Sequence, residues 1–201
     1  MKISYAVTVC NEINEIQELI PHLLEFKRSQ DEVVVLYDNN GTKEVFDYLQ
    51  SVEGIKLVWD NFDGHFANWK NKLNLLCSGD YIFQLDADEL VSHAFIEVLP
   101  ELLEENSDCD LFWVPRRNIV LGLTQAHIDK WGWNVNEEGL VNWPDPQSRI
   151  YRNSESIHWE NKVHEKIVGI KTVAVLPAEF NILHVKDIER QERQNNYYST
   201  L

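Results

Sequence analysis

The chain has 201 residues, 44% of them apolar, enough for one sizeable α/β core and too apolar for a disordered chain. Its 33 acidic and 18 basic residues leave a formal net charge of −15, which argues against a phosphate-backbone partner and so against nucleic acid. An acidic protein that holds an anionic ligand needs a counter-cation, and a divalent metal would supply one. Cys10, Cys77 and Cys109 are widely spaced with no C-x-x-C pair, the usage of reduced thiols in a cytoplasmic setting. The opening run to Val7 is too short for a signal peptide, and no stretch reaches the length of a membrane span. The expectation is a soluble, cytoplasmic protein.

Ile3 to Val9 reads as a strand. A helix follows, with Asn11 as its cap candidate, acids in its first turn and an apolar stripe of Ile13, Ile16, Ile20, Leu23 and Leu24. Val33 to Tyr37 is a continuous apolar run, as in a parallel strand buried on both faces; it ends in the turn residues Asp38-Asn39-Asn40-Gly41-Thr42. A helix from about Lys43 to Gln50, a strand from Ile55 to Trp59 and a helix from Ala67 to Leu76 come next. This β-α-β-α-β order predicts a doubly wound sheet.

Tyr81 to Leu85 is then a short buried strand that ends abruptly in Asp86-Ala87-Asp88-Glu89. Ligands of open α/β sheets sit beyond the carboxyl ends of strands, and side chains two apart on an extended segment share a face. Asp86 and Asp88 are therefore candidates to hold Mn²⁺ or Mg²⁺ on a diphosphate. The plainer alternative is that Asp88 caps the helix beginning near Val91.

A helix from about Ser92 to Glu105 and a strand from Leu111 to Val114 precede a segment without clear period, Gly122 to Trp143. Trp131, Trp133 and Trp143 lie there, either as platforms for sugar rings or as packing for a small subdomain. Asp145 to Tyr151 predicts a strand, and Ser156 to Trp159 with Val163 to Ile167 a short hairpin. Phe180 to Val185 carries His184, and Asp187 to Tyr198 predicts a polar helix bearing Arg190 and Arg193. Arg149 and Arg152 are open between phosphate contacts and pairing with acidic neighbours.

Several of these segments fall in the order of one family. They are Val9-Cys10-Asn11-Glu12, Asp38 to Thr42, Lys70-Asn71, Gly79 to Ile82, Leu85 to Glu89, Asp145 to Arg152, and Val163-His164-Glu165. Over about residues 3 to 185 the chain resembles a family 2 glycosyltransferase of the GT-A fold, similar to small sugar transferases of lipopolysaccharide core and capsule assembly and of phages and large viruses. It departs from that pattern in having Gly41-Thr42-Lys43 after the second strand, and a lone Asp145 between two prolines in place of a Glu-Asp pair.

The resemblance implies a Rossmann-like, mostly parallel sheet with a small C-terminal β/loop acceptor subdomain. Residues 1–114 would be the nucleotide-sugar half, 115–185 the acceptor and metal-completing half of the same domain, and 186–201 a C-terminal helix or tail, with a further domain possible after residue 201. It implies an inverting transfer from a nucleotide-diphospho-sugar, a UDP-sugar before a GDP- or dTDP-sugar, to a hydroxyl of a carbohydrate or glycoconjugate. Asn11, Glu12 and Asp38 would meet the base and ribose, helped by Lys70 or Asn71. Asp86 would lie near ribose and metal, and Asp88 would ligate the metal. His164 would complete the shell, with His184 as its competitor, and Asp145 would be the catalytic base, with Glu165 second. Two other functions remain open: a sugar-phosphate nucleotidyltransferase, which normally brings a Gly-rich basic loop where Cys10-Asn11-Glu12 stands, and a non-catalytic carbohydrate-binding domain.

Overall fold

The computed structural model describes residues 1–198, the last two by backbone alone, so the end of the expected tail lies outside the described residues. In chain order the first half runs β1 (Ile3–Val9), α1 (Ile13–Phe26), β2 (Glu32–Asp38), α2 (Lys43–Ser51), β3 (Ile55–Asp60), α3 (Phe66–Leu76) and β4 (Tyr81–Asp86). There follow β5 (Glu89–Val91), α4 (His93–Glu105), β6 (Leu111–Val114), β7 (Arg116–Leu121) and α5 (Gln125–Trp131). The remainder is β8 (Gln147–Arg152), β9 (His158–Glu160), β10 (Lys166–Val168), β11 (Val173–Val175), β12 (Ile182–Asp187) and α6 (Ile188–Tyr198).

A seven-stranded sheet in the order β11-β6-β8-β4-β1-β2-β3 forms the centre. Only β8 runs against the rest, between β4 and β6. The sheet is buried on both faces because strand side chains alternate. Tyr5, Val7 and Val9 of β1 pack with Ile16, Leu19, Ile20 and Leu23 of α1 and with Phe95 and Leu99 of α4. Ala6 points the other way, with Val34, Leu36, Ile82 and Tyr151, onto Trp69 and Leu73 of α3 and Trp159 of β9. Each fully buried large side chain of this kind contributes about 1.5–3 kcal/mol, which is why the continuous apolar runs specify a central parallel strand so well.

Two expected caps shift. Glu12, not Asn11, is the N-cap residue of α1, and its Oε2 accepts from the backbone N–H groups of Cys10 and Asn11 at 2.8 and 2.9 Å. The helix after the acidic turn is capped by Ser92, whose hydroxyl accepts from Phe95 N–H at 3.2 Å. Asp88 is thereby released from the capping role.

Four elements arise that periodicity does not show: β5, β7, α5 and β11. Three are very short or, like α5, bury no residue; β7 opens on Arg116-Arg117-Asn118, and its apolar run is only the three residues Ile119 to Leu121. Strands β5, β12 and β7 form a second small sheet. Its register sets Glu89 opposite His184, and His184 opposite Asn118. That row supports the site.

At the opposite end of β2, Glu32 joins three segments. Its carboxylate accepts from Ser4 Oγ at 2.6 Å, from Ser78 N–H at 2.6 Å and from Lys2 Nζ at 2.9 Å. Burial pushes its pKa up, but these donors outweigh burial and hold it down at about 2, from an ordinary 4.5. A depressed carboxyl adds stability that is complete above its unfolded value and is lost as pH falls through the folded one. The melting temperature is therefore expected to drop between about pH 4.5 and 2, and Glu32→Gln to flatten that drop. Calorimetric melts across the range check this; equal slopes in the two proteins would refute it.

Candidate active site

The chain winds from β1 through β2 to β3 on one side, then returns to place β4 on the other flank of β1. Such a reversal leaves a crevice at the carboxyl ends of the strands. A cavity of about 800 Å³ opens there, lined by Cys10, Asn11, Glu12, Asp38, Lys70, Asp86, Asp88, Arg149, His164, Glu165, His184 and Arg190 among others. The expected residues Asn71 and Asp145 are not on that wall among the described residues.

The two acids of the D-x-D reach the cavity differently from the expectation. Strand β4 stops at Asp86, and Ala87 and Asp88 form the turn into β5, so the pair does not share one strand face. Glu89 Oε2 closes that turn by accepting from Asp86 N–H at 3.0 Å. Asp86 Oδ2 lies 2.5 Å from Arg149 Nη2, which also donates to Glu89 Oε1 at 2.6 Å. Burial raises the Asp86 pKa, yet Arg149 and then Lys70 outweigh it and keep the carboxyl ionised. Of the two alternatives for the arginines, the structure shows acidic partners: Arg149 pairs with Asp86, and Arg152 with Asp110 at 3.2 Å.

Asp88 is 11% exposed in its side chain, and three groups converge on its Oδ2: His184 Nε2 at 3.4 Å, Lys186 Nζ at 3.5 Å and Arg190 Nη2 at 3.4 Å. Burial pushes its pKa up, but His184, Lys186 and Arg190 together hold it well below the usual carboxylate range. The far side of His184 is anchored: Nδ1 lies 2.8 Å from Asn118 Oδ1. Asn118 Nδ2 donates to Asp145 Oδ2 at 2.7 Å and to Val141 O at 3.3 Å, which fixes the amide with its oxygen toward the ring. The proton of a neutral His184 then sits on Nδ1, leaving the Nε2 lone pair facing a carboxylate. In the structure Lys186 and Arg190 are the cations beside these two groups, and a bound metal would take that place.

That geometry is the test of a metal at this place. A histidine anchored through Nδ1 with Nε2 beside a carboxylate is the arrangement of a metal ligand and its supporting partner. Among the described residues no three His, Cys, Asp or Glu side chains gather as a cation site. A metal held largely by substrate phosphates and water needs only one or two protein ligands, so the Asp88–His184 pair fits a shared metal–diphosphate site. His164, the first expectation, lies on the same cavity wall with a left-handed φ of 53°.

The other expected residues separate. Asp38 is both turn former and tether: its Oδ1 accepts from Asn40 N–H at 3.0 Å and Phe62 N–H at 3.1 Å, and it faces the cavity. Gly41 beside it packs so closely on Cys10 O that a Cβ there would lie 2.1 Å away, locking the β1 and β2 loops together. Lys70 Nζ sits 2.5 Å from Glu165 Oε1 and 4.4 Å from the centre of the Trp159 ring. Asn71 instead exchanges hydrogen bonds with the Trp159 backbone at 2.7 and 2.8 Å and lines a smaller, separate cavity. The Asp145 carboxylate is occupied by Arg116 at 2.9 and 3.1 Å, Asn118 at 2.7 Å and Gln147 at 3.0 Å.

Sequence reasoning gave no role to Glu89, Arg116, Asn118, Lys186 or Arg190. An unbroken chain of contacts joins the two D-x-D acids through three of these, Glu89, Arg116 and Asn118: Asp86, Arg149, Glu89, Arg116, Asp145, Asn118, His184, Asp88. The one local signal was that Glu89 follows the D-x-D directly.

The sequence profile of Glycosyl transferase family 2 matches residues 4–163. A TPR repeat-containing protein of Synechococcus elongatus is 27% identical over 163 residues, which is 80% of this chain and 35% of its own. Among solved structures, S. aureus TarS superposes with a TM-score of 0.67 at 16% identity, over 92% of this chain and 37% of its own. The TarS 1-349 fragment crystallised with UDP gives 0.66 at 16% identity, and its complex with UDP-GlcNAc gives 0.65. Each covers 92% of this chain, with 60% and 59% of the fragment matched. This chain thus spans about a third of the cyanobacterial protein (35%) and no more than 60% of these TarS chains. The likeness to TarS is one of fold, and that fold is the GT-A architecture which the ordered motifs implied. By the match over residues 4–163, the chain belongs to glycosyl transferase family 2.

Proposed function

We propose that this chain transfers a sugar, with inversion, from a nucleotide-diphospho-sugar to a hydroxyl of a carbohydrate or glycoconjugate acceptor, using Mn²⁺ or Mg²⁺ seated by Asp88 and His184. The observation that carries the reading is the Asp88–His184 pair, its ring anchored by Asn118, at the rim of the crevice. His184 is preferred to His164 because its Nε2 is the ring nitrogen aimed at Asp88. A UDP-sugar is the first donor to test, since TarS was crystallised with UDP and with UDP-GlcNAc. Asp38 and the loop from Cys10 to Glu12 stand where the nucleoside would meet the ends of β1 and β2.

When bound, the metal supplies positive charge against the departing diphosphate. Asp86, kept ionised by Arg149, presents a carboxylate toward the donor. The acceptor hydroxyl must lose a proton as it attacks, and Glu165 is the better candidate to take it. It faces the cavity, whereas the oxygens of Asp145 are committed to Arg116, Asn118 and Gln147. Lys70 orients Glu165 through their ion pair.

The nucleotidyltransferase alternative loses ground on one contact. Its phosphate-cradling loop needs free backbone N–H groups after the first strand, but here Glu12 takes those of Cys10 and Asn11. A binding module without catalysis leaves the acids at the ends of β1, β2 and β4 without a purpose.

Calorimetric titration with UDP, GDP and dTDP, with and without Mn²⁺, tests the reading, followed by release of UDP from UDP-sugars. Metal-dependent binding of one nucleoside diphosphate is expected; none with either Mn²⁺ or Mg²⁺ would overturn the proposal. Glu165→Gln should retain nucleotide binding and lose about a hundred- to ten-thousand-fold in turnover, the usual contribution of a positioned base. A wild-type rate in that variant returns the role to Asp145.

A further inference from the structure

Helix α6 is polar along its length, and its hold on the protein is ionic. Arg190 Nη2 lies 3.3 Å from Glu12 Oε1 and 3.4 Å from Asp88 Oδ2, while Nη1 donates to Glu15. Gln194 Oε1 accepts from Lys186 Nζ at 2.7 Å. On the far side, Glu192 approaches Lys130 at 3.7 Å and His127 at 3.9 Å. One face of α6, carrying Arg190, Gln191 and Gln194, therefore walls the cavity.

The placement of Arg190 is informative because its partners belong to two separate parts of the site. Glu12 closes the loop at the end of β1, and Asp88 is the acid beside His184. The guanidinium spans the gap between them. A diphosphate joining a nucleoside at the β1 and β2 loops to a cation at Asp88 must cross that gap. Phosphate oxygens suit a planar guanidinium, which can meet two of them at once. A cation on Asp88 would also repel Arg190 from its present partner. The donor thus removes one contact of Arg190 and offers a stronger one nearby.

We propose that Arg190 is a diphosphate-binding residue of the donor site: it exchanges Asp88 for phosphate oxygens as the donor enters, and α6 is thereby drawn onto the cavity. The inference rests on the transferase reading above and extends it to an element that lies beyond the family match, which ends at residue 163. In the donor-free protein Arg190 occupies Asp88 and so competes with the metal. With the donor present it acts in the same direction as the metal.

The experiment compares wild type, Arg190→Ala and Arg190→Lys by calorimetry with UDP plus Mn²⁺ and with Mn²⁺ alone, and follows hydrogen exchange of the α6 amides. GDP or dTDP replaces UDP if wild type prefers it. Arg190→Ala is expected to weaken nucleotide binding about tenfold or more, the usual effect of losing a charge-assisted hydrogen bond, and Arg190→Lys to recover part. Mn²⁺ alone should bind Arg190→Ala as well as wild type or better, since a competing cation has gone. Nucleotide should slow exchange in α6 of wild type and not of Arg190→Ala. If Arg190→Ala fails to fold, Arg190→Gln, shorter than arginine but still a hydrogen-bond donor, removes the charge with less loss of packing. A wild-type Kd for UDP in the variant overturns the proposal, and so does an equal loss of Mn²⁺ and UDP affinity, the signature of a purely structural clamp. Failure of wild type to bind any of the three nucleotides overturns the transferase reading and this one with it.

Discussion

Asp88→Asn is expected to lower kcat/KM for sugar transfer by about a hundred- to a thousandfold, with loss of metal-dependent UDP binding. The substitution keeps the size of the side chain and removes the charge, leaving His184 as the remaining ligand of the proposed metal site. One preorganised electrostatic contact to a developing negative charge is typically worth about 3–4 kcal/mol in an excluded site, and a bound cation supplies several. The surroundings of Asp88 sharpen the outcome. Lys186 and Arg190 lie within 3.5 Å of its Oδ2, and the neutral amide removes the carboxylate between them, leaving Lys186 beside a guanidinium that keeps Glu12 and Glu15. Burial lowers the Lys186 pKa and Asp88 is the main charge that raises it, so loss of Asp88 lowers it further. Nucleotide-release kinetics and UDP titration, with circular dichroism as the folding control, check this. A variant that still turns over at the wild-type rate would remove Asp88 from the mechanism.

The largest effect on stability is expected from Arg149→Met. Arg149 is 4% exposed and Glu89 1% exposed, and a single Nη2 group serves both Glu89 and Asp86, at 2.6 and 2.5 Å. Removing the cation leaves buried Glu89 with the Asp86 N–H and a single positive charge nearby, Arg116, 3.3 Å away and engaged with Asp145. Breaking a buried pair from one side costs about 3–5 kcal/mol. At about 2–4 °C per kcal/mol for a domain of this size, the melting temperature should fall by roughly 6–20 °C. Replacing both partners, as in Glu89→Leu with Arg149→Met, should restore part of the loss, because the penalty comes from an unpaired charge and not from a missing attraction. Thermal unfolding followed by circular dichroism separates the cases. A single variant that melts within about 2 °C of wild type would show that water reaches Glu89.

Much of the donor side was legible in the chain. Val33 to Tyr37 and Tyr81 to Leu85 are apolar throughout because they lie in a sheet covered on both faces, and burial on two sides leaves a stronger trace than any other placement. The acids at the ends of β1, β2 and β4 were legible for a related reason. Polar residues that abruptly end an apolar run must come out at the sheet's rim, which is where a doubly wound fold binds ligands.

The remainder depended on contacts between distant segments. Asn71 and Lys70 are neighbours on α3, yet one turns to the Trp159 backbone and the other to the cavity, a choice set by where β9 packs. Asp145 carries the right chemistry for a base, but a residue's accessible lone pairs depend on its neighbours, and Arg116 and Asn118 arrive from 29 and 27 positions away. His184 and Asn118 meet because β12 pairs with β7, and the polar start of β7, Arg116-Arg117-Asn118, gives no local sign of that pairing. The sequence by itself determined the layered α/β core and the rim at which acids gather, because burial is written into local residue type. The tertiary structure alone decided which histidine faces Asp88, which carboxylate is left open to the cavity and where Arg190 lies, because hydrogen-bond partnership belongs to pairs of residues that only folding brings within reach.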